Sequence, residues 1–150
     1  MTTNQSPLDA TTSESASWAE LRHASVGRLA VTVDDKPDIF PVNFAVDRGS
    51  VVFRTAAGTK LAAAAGRPVA FEADGYEPST GEVWSVVVKG MAQEVTELDD
   101  VLGALDLPLF PWHTSPKPRI IRIAPDSISG QRFTARSDTM VEPPRRVAPE

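Results

Sequence analysis

The sequence predicts a single, mainly β domain: a small antiparallel barrel of six or seven strands that carries a few short helices. Apolar and polar residues alternate with a period of two along most of the chain, which is the pattern of half-buried strands. The connections at 34–37 and 47–50 are short and rich in turn-forming residues, which favours an antiparallel meander. With 150 residues, 41% of them hydrophobic, the chain can bury a substantial core.

The strands are predicted one by one from this alternation. In the second strand, Phe40 and Phe44 lie on one face, and Pro41 and Asn43 lie on the other. The six predicted strands occupy 28–33, 39–46, 51–54, 68–73, 84–89 and 119–124, and a short seventh strand is expected around Ile128.

Three short helical segments interrupt the alternation. The first, 18–23, places Trp18 and Leu21 on one face; the second, 58–65, is rich in alanine; the third, 97–105, has leucines at helical spacing. Each segment is too short to be stable alone, so each is expected to pack on the barrel.

The two ends of the chain lack this patterning. Residues 1–17 are rich in Thr, Ser and Ala and are predicted to be a mobile tail, because they offer few apolar groups to offset the entropy of ordering. Residues 135–150 are rich in proline and are predicted to be a second tail. One domain, spanning 18–134, remains between them.

Charge and composition exclude several classes of function. The chain has 15 Lys and Arg against 20 Asp and Glu, a net charge of -5, which argues against a nucleic-acid partner. It contains no cysteine and two histidines, which argues against disulfides, thiolate chemistry and a metal cage. No apolar run approaches the roughly 20 residues that span a bilayer, and no leader segment is recognisable, so we expect a cytoplasmic protein without a membrane partner.

The segment 53–61 carries the strongest chemical signal. A strand ends there on Arg54 and Thr55, and the predicted helix opens with Thr59 and Lys60. A lysine in the first turn opposes the helix dipole, and a phosphate would correct this by accepting hydrogen bonds from the first-turn amides and these side chains. The alternative is that the two cations are solvated and that Thr55 is an ordinary N-cap.

Pro41 interrupts a strand that otherwise alternates regularly. A proline within a strand belongs at an edge or a bulge, where backbone groups are left free for another partner. Val42 and Asn43 follow it, and Asn43 could serve such a partner. The alternative is that Asn43 only satisfies a neighbouring backbone group.

Trp84 and Ser85 begin a long apolar strand. A planar heterocycle could stack near Trp84 and accept a hydrogen bond from Ser85. The alternative is that Trp84 belongs to the core, which is the more common role of a tryptophan at the start of an apolar strand.

The residues do not identify a catalytic side chain. Glu72 and Asp74 share one strand face and could transfer protons, but the same spacing is typical of a solvated face. His23 lies in the first predicted helix. His113 lies in a loop, where it is either a surface residue or a gate over a cofactor.

Taken in order, these motifs resemble the flavin-binding split-barrel family related to pyridoxamine 5'-phosphate oxidase, and in particular its short actinobacterial members. The resemblance covers about residues 18 to 134. It depends on the order of the segments Val26-Gly27-Arg28-Leu29-Ala30, Pro41-Val42-Asn43-Phe44, Arg54-Thr55, Gly58-Thr59-Lys60-Leu61, Val69-Ala70-Phe71-Glu72-Ala73-Asp74, Trp84-Ser85-Val86-Val87-Val88-Lys89-Gly90 and Arg119-Ile120-Ile121-Arg122-Ile123.

The resemblance implies a six-stranded antiparallel split barrel that forms a homodimer, with flavin mononucleotide (FMN) in a groove at the dimer interface. It also implies a role for each segment. The phosphate would be held by Arg54, Thr55, Thr59 and Lys60; the isoalloxazine would lie beside the backbone of Pro41, Val42 and Asn43; and Trp84 with Ser85 would reach the ring or the ribityl chain from the other subunit.

The expected function is that of an FMN-dependent oxidoreductase, which takes electrons from a nicotinamide donor and acts on a small planar substrate. Two alternatives share the fold: a deazaflavin-dependent reductase, and a flavin-binding carrier or sensor without turnover. A third, an oligonucleotide-binding barrel, needs exposed aromatic and basic residues, and only 7% of this chain is aromatic.

Overall fold

The computed structural model describes residues 10–56, 58–59, 61–97 and 119–135. These residues form seven strands, one α-helix and a single turn of 3₁₀ helix. In chain order the elements are β1 (Ala10–Thr12), α1 (Glu14–Arg22), β2 (Val26–Val33), β3 (Lys36–Asp47), β4 (Ser50–Thr55), the 3₁₀ helix (Ala62–Ala64), β5 (Pro68–Glu77), β6 (Glu82–Glu94) and β7 (Arg119–Thr134).

The strands form one antiparallel sheet that closes on itself. Their order is β1-β7-β4-β3-β2-β5-β6, and β6 also pairs with β7, so that six strands close into a barrel while β1 extends the sheet beside β7. The longest ladder joins β6 to β7, from Glu82 opposite Thr134 to Glu94 opposite Ile121. The predicted mainly β, antiparallel barrel is thus confirmed.

The barrel interior is filled by the apolar residues of the alternating strands. Phe44 and Phe71, which are both buried, meet edge to face within it, with ring centroids 4.7 Å apart. The helix α1 packs against β3, β6 and β7 and inserts the fully buried Leu21 into the same core. Since α1 has nine residues, no helix of the described ranges is long and apolar enough to span a membrane.

Two hairpins fix the register of β2, β3 and β4. Asp34 and Asp35 have φ angles of 53° and 60°, and Arg48 and Gly49 have φ angles of 51° and 66°. Two left-handed residues in succession give a two-residue turn whose twist matches that of the flanking strands, so both hairpins turn tightly. The predicted turn at 34–37 is therefore shorter in the structure, because β3 already begins at Lys36.

The ladders on two sides of the barrel stop before the strands end. The pairing of β3 with β4 stops at Phe44 opposite Phe53. The pairing of β2 with β5 covers only Arg28–Ala30 and Ala70–Glu72, although both strands are longer. The described strands therefore separate at these two places, and the sites discussed below lie there.

The prediction of a mobile tail over residues 1–17 is wrong for residues 10–17. Ala10–Thr12 pair with Gly130–Arg132 of β7, and Ser13 caps α1 by accepting a hydrogen bond from the Ala16 amide at 3.2 Å. The Thr and Ser residues thus contribute backbone pairing and a cap, which do not require the apolar periodicity on which the prediction relied. The first helix consequently begins at Glu14 and not at residue 18.

The prediction of an alanine-rich helix over 58–65 is also wrong in its extent. Among the described residues of this segment, only Ala62–Ala64 are helical, and they form a 3₁₀ turn. Gly58 and Gly66 at its two ends have φ angles of 76° and 82°, which no helix accommodates, and the segment between them is too short to nucleate an α-helix.

Other predictions fall partly on residues that the structure does not describe. The expected short strand around Ile128 is part of β7, which continues past a register shift opposite Lys89 and Gly90. Of the predicted helix 97–105, only Glu97 is described. The remaining residues of that helix, the loop with His113, and the tail beyond residue 135 lie outside the described residues.

Candidate functional site

Arg54 lies near the end of β4, where the ladder with β3 has stopped. Its side chain is half-buried, and its Nε atom is buried without a hydrogen-bond partner among the described residues. A buried N–H donor without an acceptor costs about 1–3 kcal/mol, more when it belongs to a charged group. The end of β4 therefore presents a cationic donor that would be stabilised by an anionic acceptor.

Thr55 and Thr59 organise the loop that follows Arg54. Their Oγ1 atoms are 3.0 Å apart, and the Thr59 hydroxyl donates to the Ala56 carbonyl at 3.0 Å. The Ala62 amide donates to the Thr59 Oγ1 atom at 3.0 Å, so Thr59 caps the 3₁₀ turn. Thr55 is 2% exposed and Thr59 is exposed, so Thr59 is the hydroxyl that an incoming ligand can reach.

This geometry changes the electrostatic basis of the phosphate prediction. A single 3₁₀ turn does not have the aligned peptide dipoles of an α-helix, so the helix-dipole argument does not apply. What remains is the buried Nε atom of Arg54, which has no hydrogen-bond partner among the described residues, beside the turn that Thr59 caps. Lys60, the second predicted cation, lies outside the described residues.

Pro41, Val42 and Asn43 lie on β3 beside this end of β4. Pro41 is opposite Arg28 of β2, and on its other side the ladder between the described parts of β3 and β4 has ended, as expected for a proline at a strand edge. Continuing the β3–β4 register by one residue would set Asn43 opposite Arg54. This segment and Arg54 therefore lie on neighbouring strands beyond the same end of the β3–β4 ladder; with Thr55 and Thr59 we call them the Arg54 opening.

Trp84 and Ser85 lie elsewhere, and they face opposite sides of the sheet. Trp84 is on the core side, where it packs against the hydrophobic core, and a Cβ atom added to Gly75 would lie 2.2 Å from its Nε1 atom. Ser85 is on the outer side, in register with Asp74. Asn43 lies on β3 and Ser85 lies on β6, with β2 and β5 between them in the sheet.

Trp84 also lines a cavity of about 520 Å³ between the beginning of β2 and the end of β5. None of the residues of the Arg54 opening contributes to this cavity. Within one chain, the predicted cofactor-binding residues thus form two separate groups.

The outer face of the barrel carries an ion-pair cluster, of which the sequence predicts only the two carboxylates. Glu72 and Asp74 share one face of β5, as predicted, and the Arg28 side chain lies between them, with N–O distances of 3.2 and 3.0 Å. Burial raises the pKa of Glu72 to about 7, with further contributions from its hydrogen bond to Asp74 and the charge of Asp74, while Arg28 opposes the shift. The sequence feature that could have indicated these ion pairs is the alternation along β2, which places Arg28 on the outer face.

The raised pKa of Glu72 leads to a testable pH dependence. A carboxyl whose pKa is higher in the folded state stabilises the fold when protonated, so its contribution is complete below about pH 4.5 and is lost as the pH rises to 7. Glu72→Gln should remove this loss and make the free energy of unfolding less dependent on pH between 4.5 and 7. Because the side chain is 35% exposed, we expect an effect of about 1 kcal/mol or less.

Urea unfolding at a series of pH values would measure this effect. Glu94→Gln is the matched control, since Glu94 is also a partly exposed carboxylate, 3.7 Å from Arg119. If both variants changed the pH profile equally, or if Glu72→Gln left it unchanged, the proposed titration of Glu72 would be refuted.

The described residues contain no group of three or more His, Cys, Asp or Glu side chains that could hold a metal ion. His23 is exposed and caps the end of α1, with its backbone amide bonded to the Glu20 carbonyl at 3.1 Å. It also borders the cavity that contains Trp84.

Comparison with known proteins gives consistent matches over most of the chain. A family model described as pyridoxamine 5'-phosphate oxidase matches residues 13–132. The uncharacterized protein Rv0080 of Mycobacterium tuberculosis is 37% identical over 119 residues, which cover 75% of this chain and 78% of that protein.

Two solved structures are similar to this chain in both sequence and fold. The FAD binding protein from Mycobacterium smegmatis is 36% identical, with a TM-score of 0.74, and the match covers 83% of this chain and 98% of that one. A conserved protein of unknown function from Corynebacterium diphtheriae is 35% identical, with a TM-score of 0.71, and the match covers 85% of this chain and 99% of that one.

Proposed function

This chain belongs to the pyridoxamine 5'-phosphate oxidase family, and from that premise we propose that it is a flavin-dependent oxidoreductase that binds FMN between two copies of itself. The observation that carries the proposal is the buried, unpartnered Nε atom of Arg54. The phosphate ester of a flavin nucleotide supplies the anionic acceptor that this donor lacks.

Arg54 would hold the phosphate together with Lys60 and the exposed Thr59 hydroxyl, which would exchange its bond to the Ala56 carbonyl for one to the phosphate. Thr55 would act indirectly, because its buried hydroxyl is 3.0 Å from that of Thr59 and fixes the loop. The backbone of Pro41, Val42 and Asn43 would lie along the flavin ring, because this part of β3 has no ladder with the described part of β4.

The second group of residues would come from the partner copy. Ser85 is on the outer face of the barrel, so the Ser85 of one copy could reach the flavin bound by the other. The two-fold symmetric dimer is the commonest arrangement of two copies. Trp84 faces the core side, so its contribution would be to support the strand that carries Ser85.

When bound, a flavin supplies electron or hydride transfer between a nicotinamide donor and a small planar substrate. The chain's own residues would neutralise the phosphate, orient the ring along β3 and limit access of water. Flavin adenine dinucleotide (FAD) is a second candidate, because the relative from Mycobacterium smegmatis is described as an FAD binding protein. The diphosphate of FAD would supply an anionic acceptor for the same arginine, Arg54.

The identity of the cofactor can be tested on the purified protein. The small molecule released on denaturation would be analysed by its absorption spectrum and mass, and the protein would be titrated with FMN, FAD and a deazaflavin. We expect a flavin spectrum, the mass of FMN and the tightest binding for FMN. Tightest binding of the deazaflavin would support the reductase alternative, and the absence of binding to any of the three would overturn the proposal.

Turnover can be tested separately. Steady-state consumption of reduced nicotinamide in the presence of quinones or nitro compounds should require the bound flavin. Flavin binding without any such consumption would indicate a carrier or sensor and not an oxidoreductase.

A further inference from the structure

The cavity beside Trp84 is a second site, which we call the mouth pocket. It is lined by His23–Val26 between the end of α1 and the start of β2, Asp74–Glu77 at the end of β5, Glu82–Trp84 at the beginning of β6, and Arg132. It exists because β2 and β5 pair only as far as Arg28 opposite Glu72 and then separate. Its volume of about 520 Å³ is within the usual range of small-molecule sites.

The charged residues of the mouth pocket are mainly acidic. Asp74, Glu77 and Glu82 contribute three carboxylates, against one guanidinium from Arg132. That guanidinium forms an ion pair with Glu20 and lies 3.9 Å from Glu82.

Two of these carboxylates remain available to a ligand. Glu77 accepts hydrogen bonds from the Ser79 amide and hydroxyl at 3.0 and 2.8 Å, and these bonds lower its pKa, so it stays ionised at neutral pH. It has no cationic partner among the described residues. Glu82 is 53% exposed, and its pairing with Arg132 is long. By contrast, Asp74 is already engaged by Arg28 at 3.0 Å.

The same pocket has aromatic lining residues. Gly75 leaves room for the indole of Trp84, since any side chain at that position would collide with it. Tyr76, at the next position, is 60% exposed. Aromatic rings bind planar rings by stacking and attract cations through their faces.

We propose that the mouth pocket binds a small organic cation with a planar ring, such as an aromatic amidine or amine. An anionic flavin phosphate would be repelled by the same carboxylates, so the mouth pocket and the Arg54 opening select ligands of opposite charge. The binding of a cation here does not depend on the proposed flavin and goes beyond it.

Calorimetry with the full-length protein as purified would test this site. Benzamidine is the cationic probe, and benzyl alcohol is the neutral probe of similar size. We expect benzamidine to bind at least tenfold more tightly than benzyl alcohol, and Glu82→Gln to weaken benzamidine binding by about three- to tenfold. Glu94→Gln, on the same strand but outside the pocket, should leave the affinity unchanged.

Three results would overturn the proposal: equal affinities for the two probes, no detectable binding of benzamidine, or equal losses in Glu82→Gln and Glu94→Gln. A fourth would be displacement of benzamidine by FMN, because the two ligands would then share one site. Simultaneous binding of FMN and benzamidine would support two separate sites. Binding of benzamidine by a protein that does not bind FMN would support the mouth pocket and count against the proposed flavin.

Discussion

Arg54→Ala is expected to weaken the binding of FMN by about 10- to 150-fold. A hydrogen bond to a charged group contributes about 1.5–3 kcal/mol, and every 1.4 kcal/mol changes a dissociation constant tenfold. The fold should be retained, because the buried Nε atom of Arg54 has no hydrogen-bond partner among the described residues that the substitution would remove. Fluorescence titration with FMN would measure the loss.

Two further variants make this result specific. Arg54→Lys keeps the charge but loses the planar guanidinium, so we expect an intermediate affinity. Arg67→Ala removes an exposed cation whose Nη1 atom donates a hydrogen bond to the Thr32 carbonyl at 3.4 Å, and it should leave FMN binding within about twofold of the wild type. Similar losses in Arg54→Ala and Arg67→Ala would indicate a general charge effect and not a phosphate site.

Gly90→Ala is expected to destabilise the fold by about 2–4 kcal/mol. A Cβ atom at this position would lie 1.9 Å from the Ala124 carbonyl oxygen and 3.0 Å from the Pro125 Cα atom. Both contacts are with backbone, which cannot move aside as a flexible side chain can. Because Gly90 lies at the register shift between β6 and β7, the substitution would disturb the ladder that closes the barrel. Urea unfolding would measure the change.

Gly49→Ala is the matched control for this substitution. Gly49 has a φ angle of 66° and open space around the position of a Cβ atom, so alanine there meets backbone strain without a collision. The expected cost is about 1 kcal/mol. If Gly90→Ala were no more destabilising than Gly49→Ala, the close approach of β6 and β7 would be wrong.

The strands could be predicted from the sequence because one face of each strand is buried. The alternation around Phe40 and Phe44 survives in β3, and the six predicted strands correspond to β2 through β7. β1 could not be predicted in this way, since Ala10–Thr12 are held by backbone pairing to the distant residues Gly130–Arg132. That pairing leaves no periodic signal in its own segment.

The candidate sites also include features that the local sequence predicts and features that depend on pairing between distant segments. Arg54 was identified because it ends an apolar strand just before a turn, which is a local feature. The contact of Arg28 with Glu72 and Asp74 depends on the register between β2 and β5, which are more than 40 residues apart in sequence. The mouth pocket depends on where that ladder stops, and no local pattern specifies this position.

The central claim is that the end of β4 binds the phosphate of a flavin nucleotide. The most direct test is to compare the dissociation constants of FMN and riboflavin, which differ only in that phosphate, for the wild type and for Arg54→Ala. We expect the wild type to bind FMN at least tenfold more tightly than riboflavin, and Arg54→Ala to lose most of this preference. Equal affinities of the wild type for the two compounds, or a preference that Arg54→Ala retains in full, would contradict the claim.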